Sequence, residues 1–196
     1  VAWLGQAGFQ AGQTIVVQGP GHMGLTCAAY AKSLGAGKVI VTGTSEDALR
    51  LDVALEVGAD HVVDVIVDDP VDAVMDLTGG FGASLAVDLA SAPGTPSLCF
   101  DLVHHGAMVI WAGLKDRQAV PVVTDKVVMK GLRVLGGAGG DAGSVDEAAR
   151  ILNEGDFPTS PLLGTVVGLD EVDRAMSLLH RDGDEDAVRA VLRHEH

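Results

Sequence analysis

Short apolar runs recur along this chain with apolar residues at helical spacing between them, so strand and helix signals alternate as far as residue 154. Thr14-Ile-Val-Val begins the first strand and passes into a glycine turn at Gly19, Gly21 and Gly24. A helix follows from Met23 to Leu34, with Gly35 and Gly37 as its stop. Lys38 to Thr42 reads as the next strand, and Thr44-Ser-Glu-Asp47 has the form of a capping box opening a helix that runs to about Val57. His61 to Val67 is a third strand, Val71 to Leu77 a short helix, Ala83 to Leu89 a fourth strand and Ala107 to Ala112 a fifth. Leu132 to Leu135 is a sixth, and Ser144 to Glu154 is a capped helix stopped by Gly155.

Ile15-Val16-Val17, Val39-Ile40-Val41 and Met108-Val109-Ile110 are continuously apolar rather than alternating, as expected of strands covered on both faces. The pattern predicts an α/β fold, a doubly wound parallel sheet of about six strands with right-handed crossovers. Beyond residue 156 the alternation breaks. Phe157 to Val167 reads as extended, Leu169 to Leu179 as a helix with Leu169, Val172, Met176 and Leu179 on one face, and Ala187 to Leu192 as a last strand. The expected division is therefore a nucleotide-binding unit at 1–156 and a C-terminal segment at 157–196 that packs on something else.

The strand, glycine turn and helix carry the first chemical implication. A helix N-terminus directs backbone N–H groups and the positive end of its dipole at one spot, which suits a pyrophosphate. Gly19 permits the turn, Gly21 lets the backbone approach the phosphates, and Gly24 lets the helix lie close to the strand.

Composition narrows the partners. The chain has 196 residues, 47% of them hydrophobic, and 13 Lys and Arg against 27 Asp and Glu give a formal charge of −14. Nucleic acid and anionic membrane surfaces both call for a basic face, so neither is expected as a partner. No apolar run approaches the ~20 residues needed to span a bilayer, and the start has no basic leader, so a cytoplasmic protein is expected. Cys27 and Cys99 are isolated within apolar stretches and read as buried structural thiols. His22, His104 and His105 lack the i, i+4 pairing of a helical metal site, and His194-Glu-His196, though able to chelate, reads as a frayed terminus.

Read together, the stretch from Gly12 through Gly19-Pro-Gly-His-Met-Gly24, Gly35-Ala-Gly-Lys-Val-Ile-Val-Thr-Gly43, Val57-Gly-Ala-Asp60 and Leu77-Thr-Gly-Gly-Phe-Gly-Ala83 resemble the zinc-type medium-chain alcohol dehydrogenases. The resemblance covers nearly the whole chain but corresponds only to the C-terminal, coenzyme-binding part of that family. It implies an NAD(P)-dependent oxidoreductase acting on an alcohol or polyol and the corresponding aldehyde or ketone; apolar surface along Pro161 to Val167 and the edge strand near Leu132 to Leu135 lead to the expectation of a homo-oligomer. In the family an N-terminal GroES-like domain carries the catalytic zinc and the proton relay, and it would precede Val1. The 13 residues before Thr14 contain no Cys, His, Asp or Glu. This chain alone is thus expected to supply no catalytic residue and no metal ligand, and its C-terminal segment to fold onto the GroES-like domain.

The resemblance and the strand-end rule together nominate the coenzyme contacts. These are Gly19, Pro20, Gly21, His22, Met23 and Gly24 in the turn, and Thr42, Gly43, Thr44 and Ser45 after the second strand. Ala90 and Ser91 follow the fourth strand, Ala112, Gly113 and Leu114 the fifth, and Arg189 matches a basic residue that reaches the pyrophosphate in the family. NAD-type sites usually carry an acid where Gly43 stands, and its absence hints at NADP. Glu46 and Asp47 follow with no cation before Arg50, so both coenzymes stay open, with NAD slightly favoured. Two other readings are a stand-alone NAD(H) sensor without catalysis and a methyltransferase using its glycine loop for S-adenosylmethionine. The second would want an acid in place of Gly43 and a terminal antiparallel hairpin.

Overall fold

Six parallel strands form the main sheet in the order β3-β2-β1-β4-β5-β6. They are β1 (Thr14–Gln18), β2 (Lys38–Gly43), β3 (His61–Asp64), β4 (Ala83–Asp88), β5 (Val103–Trp111) and β6 (Arg133–Gly136). The computed structural model describes residues 1–180 and 187–194. Strand order reverses between β1 and β4, leaving a crevice at their carboxyl ends, the place where open α/β sheets take ligands.

Helices cover both faces, which accounts for the unbroken apolar strands. Ile15 and Val17 point toward α1 (Ala2–Gln6), α2 (His22–Ser33) and α3 (Ala48–Glu56), where Leu4, Leu25 and Leu51 complete one core. Val16, between them in sequence, faces α4 (Pro70–Leu77) and α5 (Thr95–Leu102), where Val74, Phe100 and Leu102 complete the other. All three β1 residues are fully buried. At about 25 cal/mol per Å² of apolar surface removed from water, this two-sided burial is the main source of cohesion.

Several elements differ from the sequence expectation. β3 ends at Asp64 rather than Val67, because Asp64 turns the chain by accepting the Ile66 N–H. β5 starts at Val103, with an irregularity that sets five steps on β5 (Val103 to Met108) against two on β4 (Ala83 to Leu85). That irregularity carries His104, whose ring lies 4.8 Å from Phe81. Helices α5 and α6 (Thr124–Lys130) have no counterpart in the expectation. Pro96 lies in the first turn of α5, where its lack of an N–H costs nothing.

After α7 (Ala142–Glu154), the stretch expected to be extended contains a short helix, α8 (Ser160–Leu163), before β7 (Thr165–Gly168). β7 pairs in parallel with β8 (Ala190–Arg193), and α9 (Val172–His180) lies against the pair. Part of this C-terminal segment packs on the nucleotide unit itself. Phe157, Leu162 and Val188 join the core of α2 and α3, and Arg50 of α3 donates to the Ala187 carbonyl at 2.9 Å. Its outer side is different, since Leu169, Val172, Met176 and Leu179, the face that sequence periodicity singles out, are 41–50% exposed.

Candidate functional site

Backbone hydrogen bonds lace the carboxyl ends of the strands together. Gly19 N–H donates to Thr42 O at 2.9 Å, Leu89 N–H to Gln18 O at 2.9 Å, and Gly113 N–H to Asp88 O at 2.8 Å. These bonds gather Gly19, Thr42, Ala90, Ala112 and Gly113 along one crevice, while exposed Ser91 and Leu114 stand at its margin.

Within the turn the three glycines play separate parts. Gly19 has φ +98°, and a Cβ there would meet the Ala90 backbone at 2.9 Å. A Cβ at Gly24 would come within 1.9 Å of Gly19 O, so nothing larger lets α2 lie against the turn. Gly21 has no atom within 4 Å of the position its Cβ would take. Protein packing does not require glycine at Gly21, and the space left there is what a phosphate group would use.

Gly21 is also the N-cap of α2, with an extended backbone, no side-chain cap and no acid in the first turn. By contrast, α4 is capped by Asp69, and α7 by Asp141. The first N–H groups of α2, at His22, Met23 and Gly24, thus have no side chain to satisfy them, which is the chemistry of an anion cradle.

Two cations lie near this turn. The charges of Arg189 and Arg50 act on His22, whose pKa is lowered first by burial and then by these guanidiniums. Arg189 is exposed, and its carbonyl accepts Thr165 N–H at 2.8 Å, which ties the β8 approach to β7 beside the turn.

At the far end of the crevice, Thr44 N–H and Oγ1 both donate to Asp47 Oδ2 at 2.9 Å, and Ser45 Oγ donates to Asp64 Oδ2 at 2.5 Å. The Ser45 bond, followed by the Ile66 N–H, holds the Asp64 carboxyl below the usual range. Gly43 is buried, and a Cβ on it would meet Pro20 Cγ at 2.8 Å and Leu51 Cδ2 at 3.1 Å.

Sequence reasoning missed a buried ion pair beneath the crevice. Asp88 is fully buried at the end of β4, and Lys115 Nζ stands 2.9 Å from its Oδ2, in a charge contact rather than an aligned hydrogen bond. Thr95 Oγ1 donates to Asp88 Oδ1 at 2.8 Å, and Lys115 also donates to Ala90 O. The pair tethers the loops after β4 and β5. Its signal was an acid closing the apolar run Leu85-Ala-Val-Asp88.

A cavity of about 380 Å³ lies away from this crevice, between α1, α7 and the Met23, Thr26, Cys27, Tyr30 face of α2, with a largely apolar lining. It meets the glycine turn only through Met23. Among the described residues no three His, Cys, Asp or Glu side chains are placed to hold a metal ion. Cys27 and Cys99 are buried and on opposite faces of the sheet; burial pushes the Cys27 thiol up to about 12 and raises that of Cys99 as well. Neither is suited to act as a thiolate ligand. Glu195 and His196 of the C-terminal His-Glu-His lie outside the described residues. No helix among the described residues is long and apolar enough to cross a membrane.

Strand order, crevice and glycine turn define a Rossmann domain of the doubly wound class. Residues 23–154 match the family model described as zinc-binding dehydrogenase, and the chain belongs to that family. It is 39% identical over 178 residues to a probable alcohol dehydrogenase of Mycobacterium tuberculosis, an alignment that covers 88% of this chain and 48% of that protein. A sorbitol dehydrogenase of Halalkalibacterium halodurans is 29% identical, with 96% and 54% covered. An alcohol dehydrogenase from Thermus sp. ATN1 superposes with a TM-score of 0.84 at 24% identity, covering 91% of this chain and 51% of that one. The chain spans about half the length of the curated relatives it matches.

Proposed function

We propose that this chain is the coenzyme-binding part of a zinc-type, NAD(P)-dependent alcohol or polyol dehydrogenase, with NAD favoured over NADP. The observation that carries the reading is the open, uncapped helix N-terminus at Gly21 beside a Gly24 that can bear no side chain. The α2 N–H groups would take the pyrophosphate, with Arg189 adding positive charge from the β8 approach. The loops at Ala90 to Ser91 and Ala112 to Leu114 would line the path toward the nicotinamide, and the Asp88–Lys115 pair would fix their spacing.

Bound nicotinamide supplies hydride transfer to or from the alcohol carbon. In line with the family resemblance, we assign the catalytic metal and the proton relay to a GroES-like domain outside this chain, and expect this chain alone to be inactive. The half-exposed apolar face of α9 supports such a neighbour over a stand-alone sensor. We place the protein in the cytoplasm as a homo-oligomer.

Isothermal titration with NAD, NADH, NADP, NADPH and S-adenosylmethionine, with zinc assayed in the same sample, tests the reading. Binding of one nicotinamide pair by zinc-free protein is expected. Binding of S-adenosylmethionine, or of nothing, overturns it.

A further inference from the structure

We infer that Asp64, at the end of β3, is the carboxylate that reads the adenosine ribose in this chain and turns away a 2′-phosphate. The inference rests on the dinucleotide reading of the crevice and specifies which residue selects the coenzyme. In doubly wound domains an acid near the end of the second strand accepts the ribose hydroxyls. Here that position is Gly43, and Pro20 and Leu51 leave no room for a side chain on it. Asp64 pairs with Gly43 across the sheet, one strand over at the same level, and Val65 N–H donates to Gly43 O at 2.9 Å. The carboxylate missing from β2 is thus replaced at the same height by one from β3.

The Asp64 side chain is aimed and kept ionised by its partners. Ser45 Oγ holds Oδ2 at 2.5 Å and Ile66 N–H holds Oδ1 at 2.9 Å. The N–H groups of Val67 and Ser45 act on the same carboxyl more weakly, so a ribose diol would share this half-buried carboxylate with them.

The donors that a 2′-phosphate would need are committed elsewhere. Thr44 N–H and Oγ1 are both bound to Asp47, and Ser45 Oγ to Asp64. The Arg50 guanidinium reaches the Ala187 carbonyl at 2.9 Å and approaches Asp47 at 3.9 Å. A phosphate carrying about −1.5 to −2 charges would meet the carboxylates of Asp47 and Asp64, which already hold the Thr44 and Ser45 donors. Like charges at such a distance discriminate against the wrong ligand more than they strengthen the right one.

The test is calorimetric titration of the chain with ADP-ribose and with 2′-phospho-ADP-ribose, neither of which needs a nicotinamide pocket. The unphosphorylated ligand should bind about tenfold or more tightly. Asp64→Asn should shrink that ratio by about tenfold, whereas Glu56→Gln, which removes a carboxylate from the exposed C-terminal end of α3, should preserve the preference. In the unaltered chain, raising salt from about 0.05 to 1 M should narrow the ratio, because repulsion is screened. An unchanged ratio in Asp64→Asn, a salt-independent ratio, or a preference for the phosphorylated ligand overturns the assignment and leaves the dinucleotide reading standing. Failure of the folded chain to bind either ligand overturns both.

Discussion

In the six-stranded sheet, Ile15, Val16 and Val17 of β1 lose all solvent contact because helices cover both faces, whereas the β7–β8 sheet has α9 against it and leaves Val166 and Leu192 at 43% and 45% exposure. Both sheets are parallel, and both contain β-branched residues that suit a pleated, covered surface. What separates them is the supply of covering layers. The main sheet obtains its two layers from this chain. The small sheet buries Val167, and the α9 helix against it buries Ala175 and Leu178 while presenting a stripe of Val172, Met176 and Leu179 outward. Sequence periodicity alone does not separate these two conditions, since an apolar stripe looks the same whether or not its partner is present.

Three measurements would break or sharpen the contrast. Ile15→Ala should cost about 2–5 kcal/mol in urea unfolding. Leu169→Ala, on the outward face, should stay within about 0.5 kcal/mol. Equal losses would mean that the two regions are finished to the same degree. Next in size, Gly24→Ala should lower stability by about 1–3 kcal/mol by overpacking. Gly21→Ala should cost only about 0.5 kcal/mol, as a poorer N-cap, and weaken NADH binding by about tenfold, which separates the glycine that packing needs from the one a ligand needs.

The smallest effect concerns His22. Its folded-state pKa lies below the ordinary imidazole value of 6.5, so between the folded value and 6.5 the unfolded chain binds more protons. Stability should therefore be complete above that window and decline as pH falls through it. Arg189→Ala should raise the His22 pKa in an NMR titration and soften the decline, and an unmoved titration would place Arg189 away from the turn.

Much of the main sheet was legible because its signals are local: an apolar run, a glycine stop, a capping acid. Thr14 to Gln18, Lys38 to Gly43 and the glycine turn follow from neighbours in sequence. The elements that escaped depend on tertiary contact or on ambiguous punctuation. Pro96 reads equally as a turn residue and as an N-terminal helix residue, so α5 was hidden. The β-branched stretch Val127-Val128 masked α6, which ends at Gly131 in a left-handed conformation.

The site divides in the same way. The residues of the turn could be named because each glycine has a local reason. Asp64 and Lys115 could not, since their partners Ser45 and Asp88 lie 19 and 27 positions away, and nothing in sequence spacing brings them together.

The contact between Gly43 and Pro20 also bears on how such a protein can change over generations. Pro20 belongs to the turn proposed to take the phosphates, while Gly43 ends the strand that would face the ribose. Any side chain acquired at Gly43 must displace the ring of Pro20 and disturb the turn with it. Grip and discrimination are therefore not separate modules open to independent drift. If Asp64 reads the ribose as proposed, a lineage seeking a new coenzyme would find the route through β2 closed and the passable one running through β3.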